Sequence, residues 1–365
     1  MTHIDEASKA LYYSVNGVTS FVKNQYQFGD EIIEFIGKIS PYNVCVITDT
    51  NVAQIHGDAL KETLDLLQIK HYWYEIQPGE DSKNLATVHE ILEEIWDYMT
   101  RDSLIIAFGG GVVGNIAGTV ASLIFRGCQF IHIPTTFMAQ ADSSIGIKQA
   151  VNGSKAKNAY GSYHIPLAVF NYIKFLDTLP IHHLRNGMAE SVKVAVARSP
   201  DFVHSLEKIL PNFPNFSYAE LYSILETTIH HKITGLTNDP YEKNSLLFLE
   251  IGHTVGHAIE HASNFTIHHG EAIALGMLVE AQVGMELSIT TEATYNTLAN
   301  LLTLLNFSDK LPKEVDINDI LNYIKFDNRR TSLGPIFVIP RVLGETCTCS
   351  SIEENLLWKV LDTFK

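Results

Sequence analysis

Leu104 to Gly118 reads L-I-I-A-F-G-G-G-V-V-G-N-I-A-G. The apolar run Leu104 to Phe108 is short and uninterrupted, which predicts a strand buried on both faces. Three glycines follow, Gly109 to Gly111. Small and apolar residues then recur at helical spacing, with the helix expected over Ile116 to Ile124. A strand, a glycine turn and a helix in this order present backbone N–H groups and a positive helix end to a pyrophosphate. The spacing is G-G-G-x-x-G, not G-x-G-x-x-G, so a tight turn without a ligand is the competing reading.

Outward from this stretch the same rhythm repeats. Tyr42 to Thr48 reads as a buried strand ending at Asp49, and Val52 to Leu67 as a helix. His71 to Ile76 predicts a strand, the segment from Gln77 to Lys83 a loop, and Val88 to Tyr98 an amphipathic helix. Phe130 to Ile133 predicts a further strand, ended by Pro134. Strands alternating with helices imply a parallel sheet with right-handed crossovers. From about Leu179 helical periods dominate, over roughly 184–197, 216–235, 245–263, 270–290, 293–305 and 316–324. The late apolar run Ile336 to Ile339 fits a strand or an extended segment. The expectation is an α/β, Rossmann-like, parallel-sheet domain at 1–170 and a mainly α-helical domain at 171–365. The active site is expected in the cleft between them.

Composition sets the class. The chain has 365 residues, 46% hydrophobic and 18% charged, enough apolar content for a sizeable core. A formal net charge of -15 argues against nucleic acid or an anionic membrane as partner. No secretory signal or membrane-length apolar run is visible, and a cytoplasmic protein is expected. Cys45, Cys128, Cys347 and Cys349 lack zinc-type pairing and read as reduced thiols. Four N-x-S/T sequons are read as coincidence without a secretion signal.

Metal-ligand side chains gather in the helical half. His253 and His257 lie four apart in G-H-T-V-G-H-A-I-E, so both rings leave one helix face. His269 opens H-G-E-A, and Glu190 sits in M-A-E-S-V-K. Imidazole and carboxylate suit a catalytic zinc. Thr254 occupies the position that H-E-x-x-H gives to Glu, so the metalloprotease base is missing. With sixteen histidines in the chain, one of the pair could instead be an acid–base group. Cations crowd nearby segments: Arg126, Lys148, Lys155, Lys157, Lys193 and Lys232. They suit a phosphorylated ligand, although solvated surface lysine is the simpler reading of Lys155.

Nine ordered motifs resemble the 3-dehydroquinate synthase superfamily, the sugar phosphate cyclases. They are T-D-T-N, P-G-E-D-S-K, G-G-G-V-V-G-N-I-A-G, F-R-G, I-P-T-T-F-M-A-Q-A-D-S-S-I-G-I-K, K-N-A-Y-G, M-A-E-S-V-K, G-H-T-V-G-H-A-I-E and H-G-E-A-I-A-L-G-M. The resemblance runs from about Asp49 to Gly344. It implies Glu190, His253 and His269 as ligands of one divalent metal, zinc or cobalt, with His257 near the proton chemistry. It implies NAD held by Asp49, Asn51, Glu80, Lys83, Gly110, Gly111, Val112, Asn115, Thr135, Thr136, Lys157, Phe175 and Thr178. A phosphorylated sugar would be held by Arg126, Asp142, Lys148, Asn158, Lys193, Lys232 and Glu250. Of these, Lys148, Lys193 and Glu250 would join His257 in the chemistry, and a homodimer is implied.

The departures narrow the branch. Dehydroquinate synthases usually carry Asp where this chain has Asn115. They carry Arg and Asn where it has Leu246 and Glu250, and a late lysine that is absent at Pro335 and Ile336. Losing those cations argues against a carboxylate-bearing substrate. The motifs instead resemble the 2-deoxy-scyllo-inosose synthase branch, which implies D-glucose 6-phosphate as substrate. A 3-dehydroquinate synthase, a metal-dependent polyol dehydrogenase and a non-catalytic binding protein are the alternatives.

Overall fold

The computed structural model describes residues 3–5, 10–15, 17–154, 156–241, 249–327, 330–332, 334–350 and 352–365. The chain divides into two units, Met1–Pro180 and Ile181–Lys365.

The first unit contains β1 (His3–Asp5), β2 (Ala10–Val15), β3 (Val18–Gln25), α1 (Asp30–Ile39), β4 (Val44–Asp49), α2 (Thr50–Leu66), β5 (His71–Ile76) and α3 (Leu85–Ile95). It continues with β6 (Leu104–Gly109), α4 (Gly111–Leu123), β7 (Gln129–Pro134), β8 (Lys148–Val151), β9 (Tyr160–Tyr163) and β10 (Ala168–Tyr172). Residue 170, where the sequence pattern was expected to change domain, lies inside β10.

Eight strands form one sheet in the order β1-β2-β3-β10-β7-β6-β4-β5. From β3 to β5 all neighbours are parallel. The central strands are mostly apolar because helices cover both faces. Val44, Val46, Leu104, Ile106 and Ile131 pack with Ile32 and Ile36 of α1 and Leu60 and Leu64 of α2. The alternate residues Cys45, Ile47, Ile105, Ala107 and Phe130 pack with Val88, Ile91 and Ile95 of α3 and Val113 and Ile116 of α4. The period of two along each strand thus sends successive side chains into two cores.

The second unit contains α5 (Ile181–Arg198), α6 (Pro200–Ile209), α7 (Tyr218–Asn238), α8 (His253–Ala262), α9 (His269–Glu286), α10 (Glu292–Leu304), α11 (Ile317–Ile324), the hairpin β11 (Phe337–Val342) and β12 (Glu345–Cys349), and α12 (Glu354–Thr363). Among the described residues, no helix is long and apolar enough to cross a membrane.

Two helix starts differ from expectation by five residues or more. α4 begins at Gly111, five residues before Ile116, because the glycines adopt helical backbone once Gly110 has closed the turn. The helix expected over 245–263 begins only at His253 among the described residues, since Gly252 has φ 78° and breaks any helix entering from 249–251. Leu246 and Lys155 lie outside the described residues. The elements before Tyr42, together with β8, β9, β10, α6, β12 and α12, were not expected.

Candidate functional site

In the second unit three helices bring the predicted metal ligands together. Gly276 on α9 faces α8, and a Cβ there would lie 2.1 Å from the Gly252 carbonyl and 2.8 Å from the Gly256 nitrogen. That approach places His253 and His257 on α8 beside His269, the first residue of α9. The ring centroids of His253 lie 5.2 Å from His257 and 5.5 Å from His269, and His257 lies 5.7 Å from His269. Each histidine offers a nitrogen, and the three nitrogens lie within 4.8 Å of one another. α5 contributes Glu190, which is 1% exposed. Its Oε1 lies 3.8 Å from His253 Nε2 and 3.5 Å from His269 Nε2.

The backs of two of the rings are tied. His269 Nδ1 lies 3.0 Å from Oε2 of buried Glu260, and His253 Nδ1 lies 3.1 Å from the Ile251 carbonyl. Both partners are acceptors, so each Nδ1 donates, and in the neutral ring the lone pair is then on Nε2. Lys193, one turn on, forms an ion pair with the Glu190 carboxylate, and His269 acts on it from the other side. Burial would raise the Glu190 carboxyl, but Lys193, then His269 and His253, hold it well below the usual carboxylate range. Burial pushes His253 down to about 4, with Lys193 adding to the fall and Glu250 opposing it. The result is an ionised carboxylate and an unprotonated His253 Nε2, with His269 Nε2 beside them. Zinc-type bonds of about 2.1 Å at tetrahedral angles separate ligand atoms by roughly 3.4 Å. The three histidine nitrogens, with Glu190 beside two of them, therefore form a donor set that fits a divalent transition metal.

The other residues expected in this unit fall on neighbouring elements. Lys193 and Lys232 are buried, at 2% and 8% exposure. Lys232 is four residues from Thr228 on α7, and Thr228 Oγ1 donates to Ser191 Oγ of α5 at 2.9 Å. Glu250 is half-buried and acts electrostatically on His253. The backbone at Ile336, where no lysine stands, accepts a hydrogen bond from Thr254 Oγ1 at 2.7 Å.

The first unit gathers the dinucleotide candidates at the C-terminal ends of its strands. After β4 the chain runs to β5 on one side and then to β6 on the other, so strand order reverses between β4 and β6. Crevices at such reversals are where doubly wound sheets bind ligands. Asp49 ends β4 and Gly109 ends β6. Asp49 Oδ1 accepts from the N–H groups of Asn51 and Val52, both at 3.0 Å, so part of its carboxylate caps α2. Burial raises its carboxyl while those two donors oppose the rise. Gly110 gives α4 no side-chain cap, which leaves its first turn, with Gly111 and Val112, open to an anion. Here the glycines are required by close approach, not by left-handed backbone: a Cβ on Gly110 would meet Thr136 at 3.1 Å, and one on Gly111 would meet Ser143 Oγ at 2.9 Å. Thr135 N donates to the Gly109 carbonyl at 3.0 Å, completing the turn. Asp142 lies in the turn of π-helix that also carries Ser143.

Asn115 is committed within the protein. Its Nδ2 donates to the Gly111 carbonyl at 2.9 Å, and its Oδ1 accepts from Ala150 N at 3.2 Å. Two loops form a polar cluster: Lys83 Nζ donates to Asn158 Oδ1 at 2.6 Å, Asn152 Nδ2 donates to Glu80 Oε1 at 2.8 Å, and Lys157 Nζ lies 3.6 Å from that oxygen. Phe175 and Thr178 are joined through His56, whose Nε2 lies 2.8 Å from Thr178 Oγ1 and whose ring is 4.7 Å from that of Phe175. Lys148 is exposed at the start of β8. Arg126 is exposed just beyond α4, with φ 66°.

Glu260, Glu280 and His56 were missed. Only Glu260 left a sequence signal, ending the same motif as His253. Glu280 Oε2 accepts from Gly252 N at 2.6 Å and its Oε1 from Val255 N at 3.3 Å.

Comparison with known proteins identifies the family. The family described as 3-dehydroquinate synthase N-terminal matches residues 73–186, and 3-dehydroquinate synthase C-terminal matches residues 187–330. A 2-deoxy-scyllo-inosose synthase from Streptomyces kanamyceticus is 32% identical over 314 residues, covering 85% of this chain and 80% of that protein. A 3-dehydroquinate synthase from Desulforamulus reducens is 36% identical over 321 residues, covering 87% and 89%. A crystal structure of a 2-deoxy-scyllo-inosose synthase complexed with carbaglucose-6-phosphate, NAD+ and Co2+ superposes with a TM-score of 0.90 at 28% identity, covering 98% of this chain and all of that one.

Proposed function

The chain belongs to the 3-dehydroquinate synthase family of sugar phosphate cyclases, and from that premise we propose that it converts D-glucose 6-phosphate into 2-deoxy-scyllo-inosose and inorganic phosphate. The solved relative that carries a carba analogue of that substrate supports this reading. NAD is held by Asp49, Asn51, Glu80, Lys83, Gly110, Gly111, Val112, Thr135, Thr136, Lys157, Phe175 and Thr178, with Asn115 shaping the turn. Glu190, His253 and His269 hold one cobalt or zinc ion. When bound, NAD supplies a hydride acceptor that becomes a donor again, and the metal polarises the alcohol C–O bond.

The protein's own residues do the rest. Lys193 and Lys232 are held inside the protein, where their charges act on the sugar phosphate and on developing oxyanions with little screening. Lys148, Asn158, Asp142 and Arg126 complete the substrate grip. His257 takes and returns the proton of the C4 hydroxyl at a ring nitrogen. Oxidation at C4 acidifies the C5 proton, whose loss expels phosphate from C6. Reduction at C4 and ring opening then allow C6 to attack C1 in an aldol closure, so net redox is zero.

Glu250 carries the choice of substrate. Its negative charge beside His253 repels a carboxylate but accepts hydrogen bonds from sugar hydroxyls. The second reading, a 3-dehydroquinate synthase, is favoured by the 36% identity to such an enzyme and would have to hold its carboxylate without the Arg and Lys that this chain replaces at Leu246 and at Pro335 or Ile336, and with Glu250 in place of a neutral Asn. The test follows D-glucose 6-phosphate with NAD and Co2+ by NMR and by absorbance at the NADH band. A carbocyclic ketone without accumulating NADH supports the proposal. Stoichiometric NADH would make the protein a polyol dehydrogenase.

A further inference from the structure

The metal proposed above would stand at the positive ends of two helices. His253 is the first helical residue of α8 and His269 the first of α9. A helix N-terminus carries about +0.5 of an elementary charge, which opposes a divalent cation. At α8 the local sequence offers no relief, because the N-cap is Gly252, which has no side chain. The cap comes from α9 instead. Glu280 is 1% exposed, and its two carboxylate oxygens each accept an N–H from the first turn of α8, from Gly252 at 2.6 Å and from Val255 at 3.3 Å. Glu280 lies one turn after Gly276, the residue whose missing side chain lets α8 approach.

We propose that Glu280 is a positioning residue for the metal site, acting through α8. Its charge cancels the positive end of that helix, and its two hydrogen bonds fix the rotation that aims His253 and His257. The inference rests on the metal reading of the preceding section. Glu280 does not ligate the ion.

The test titrates the metal-free protein with Co2+ alone and follows the visible absorption of the bound ion. Glu280→Gln keeps the volume and removes the charge. The expected Co2+ Kd rises ten- to hundredfold, the range seen when groups behind metal ligands are changed, and the absorption bands shift as the rings turn. Binding of NAD stays at the wild-type Kd. A merely structural role would lower the melting temperature while leaving the Co2+ Kd and bands of the folded protein unchanged, and that result overturns the inference. Glu280→Asp keeps the charge and is expected within about threefold of wild type. If the Gln variant fails to fold, an Asp variant weakened tenfold or more overturns the charge argument. Wild-type protein that binds no Co2+ would sink the metal reading itself, whereas wild-type binding matched by the Gln variant sinks only the role of Glu280.

Discussion

Gly276→Ala should uncouple the metal site without touching a ligand. The added Cβ would lie 2.1 Å from the Gly252 carbonyl oxygen and 2.8 Å from the Gly256 nitrogen. An ordinary carbon–oxygen contact is about 3.3 Å, so α8 and α9 must part by about 1 Å. Both contacts are backbone, which cannot swing aside as a side chain can. Overpacking of this kind costs about 1–3 kcal/mol, which corresponds to a fall in Tm of roughly 2–12 °C for a unit of this size. The same shift separates His269 from His253 and His257. Metal–ligand distances tolerate about 0.2 Å, so the Co2+ Kd should rise at least tenfold. Calorimetry and a Co2+ absorbance titration read the two effects. A variant with wild-type Tm and wild-type Co2+ Kd would refute the claim that helix approach at Gly276 sets the ligand geometry.

Other outcomes follow from the same structure. Glu190→Gln should lose bound metal and all turnover, measured by metal analysis of the dialysed protein alongside phosphate release. Lys83→Met removes the bond to Asn158 (2.6 Å) and should raise the NAD Kd tenfold or more in a fluorescence titration, with the Co2+ Kd unchanged. Asn115→Asp replaces the donor facing the Gly111 carbonyl (2.9 Å) with an acceptor, and should cost about 1–3 kcal/mol in urea unfolding. His132 is 2% exposed, and burial pushes it down to about 3 from its ordinary 6.5. Above pH 6.5 it is neutral folded and unfolded. As pH falls from there toward 3, only the unfolded chain takes the proton, so stability drops by about 1.4 kcal/mol per pH unit. In urea midpoints at pH 7, 6 and 5, His132→Gln should show a shallower acid limb by about one proton.

Four strands of the sheet were legible, and clearest where burial on both faces leaves Val44 to Ile47 and Leu104 to Phe108 as unbroken apolar runs. The elements before Tyr42 were less so, since β3 mixes Lys23, Asn24 and Gln25 with its apolar residues. α4 was placed five residues late because glycine reads as a breaker, although here it lies in the helix to admit Thr136 and Ser143. The pair of site histidines on α8 was visible from the four-residue spacing of His253 and His257. What orients them was less visible. Glu260 acts across nine residues on His269, and Glu280 across 28 on Gly252. Such partners exist only once α8 and α9 pack. Asp49 and Gly110 could be singled out as strand-end residues, but their nearness depends on a strand order that no local pattern encodes.

The central claim is the identity of the substrate, and phosphate release tests it most directly. The purified protein, with NAD and Co2+, receives D-glucose 6-phosphate in one reaction and 3-deoxy-arabino-heptulosonate 7-phosphate in another. Release from glucose 6-phosphate alone, without net NADH, is the predicted result. Release from the heptulosonate alone would contradict it, and would mean that Glu250 does not exclude a carboxylate.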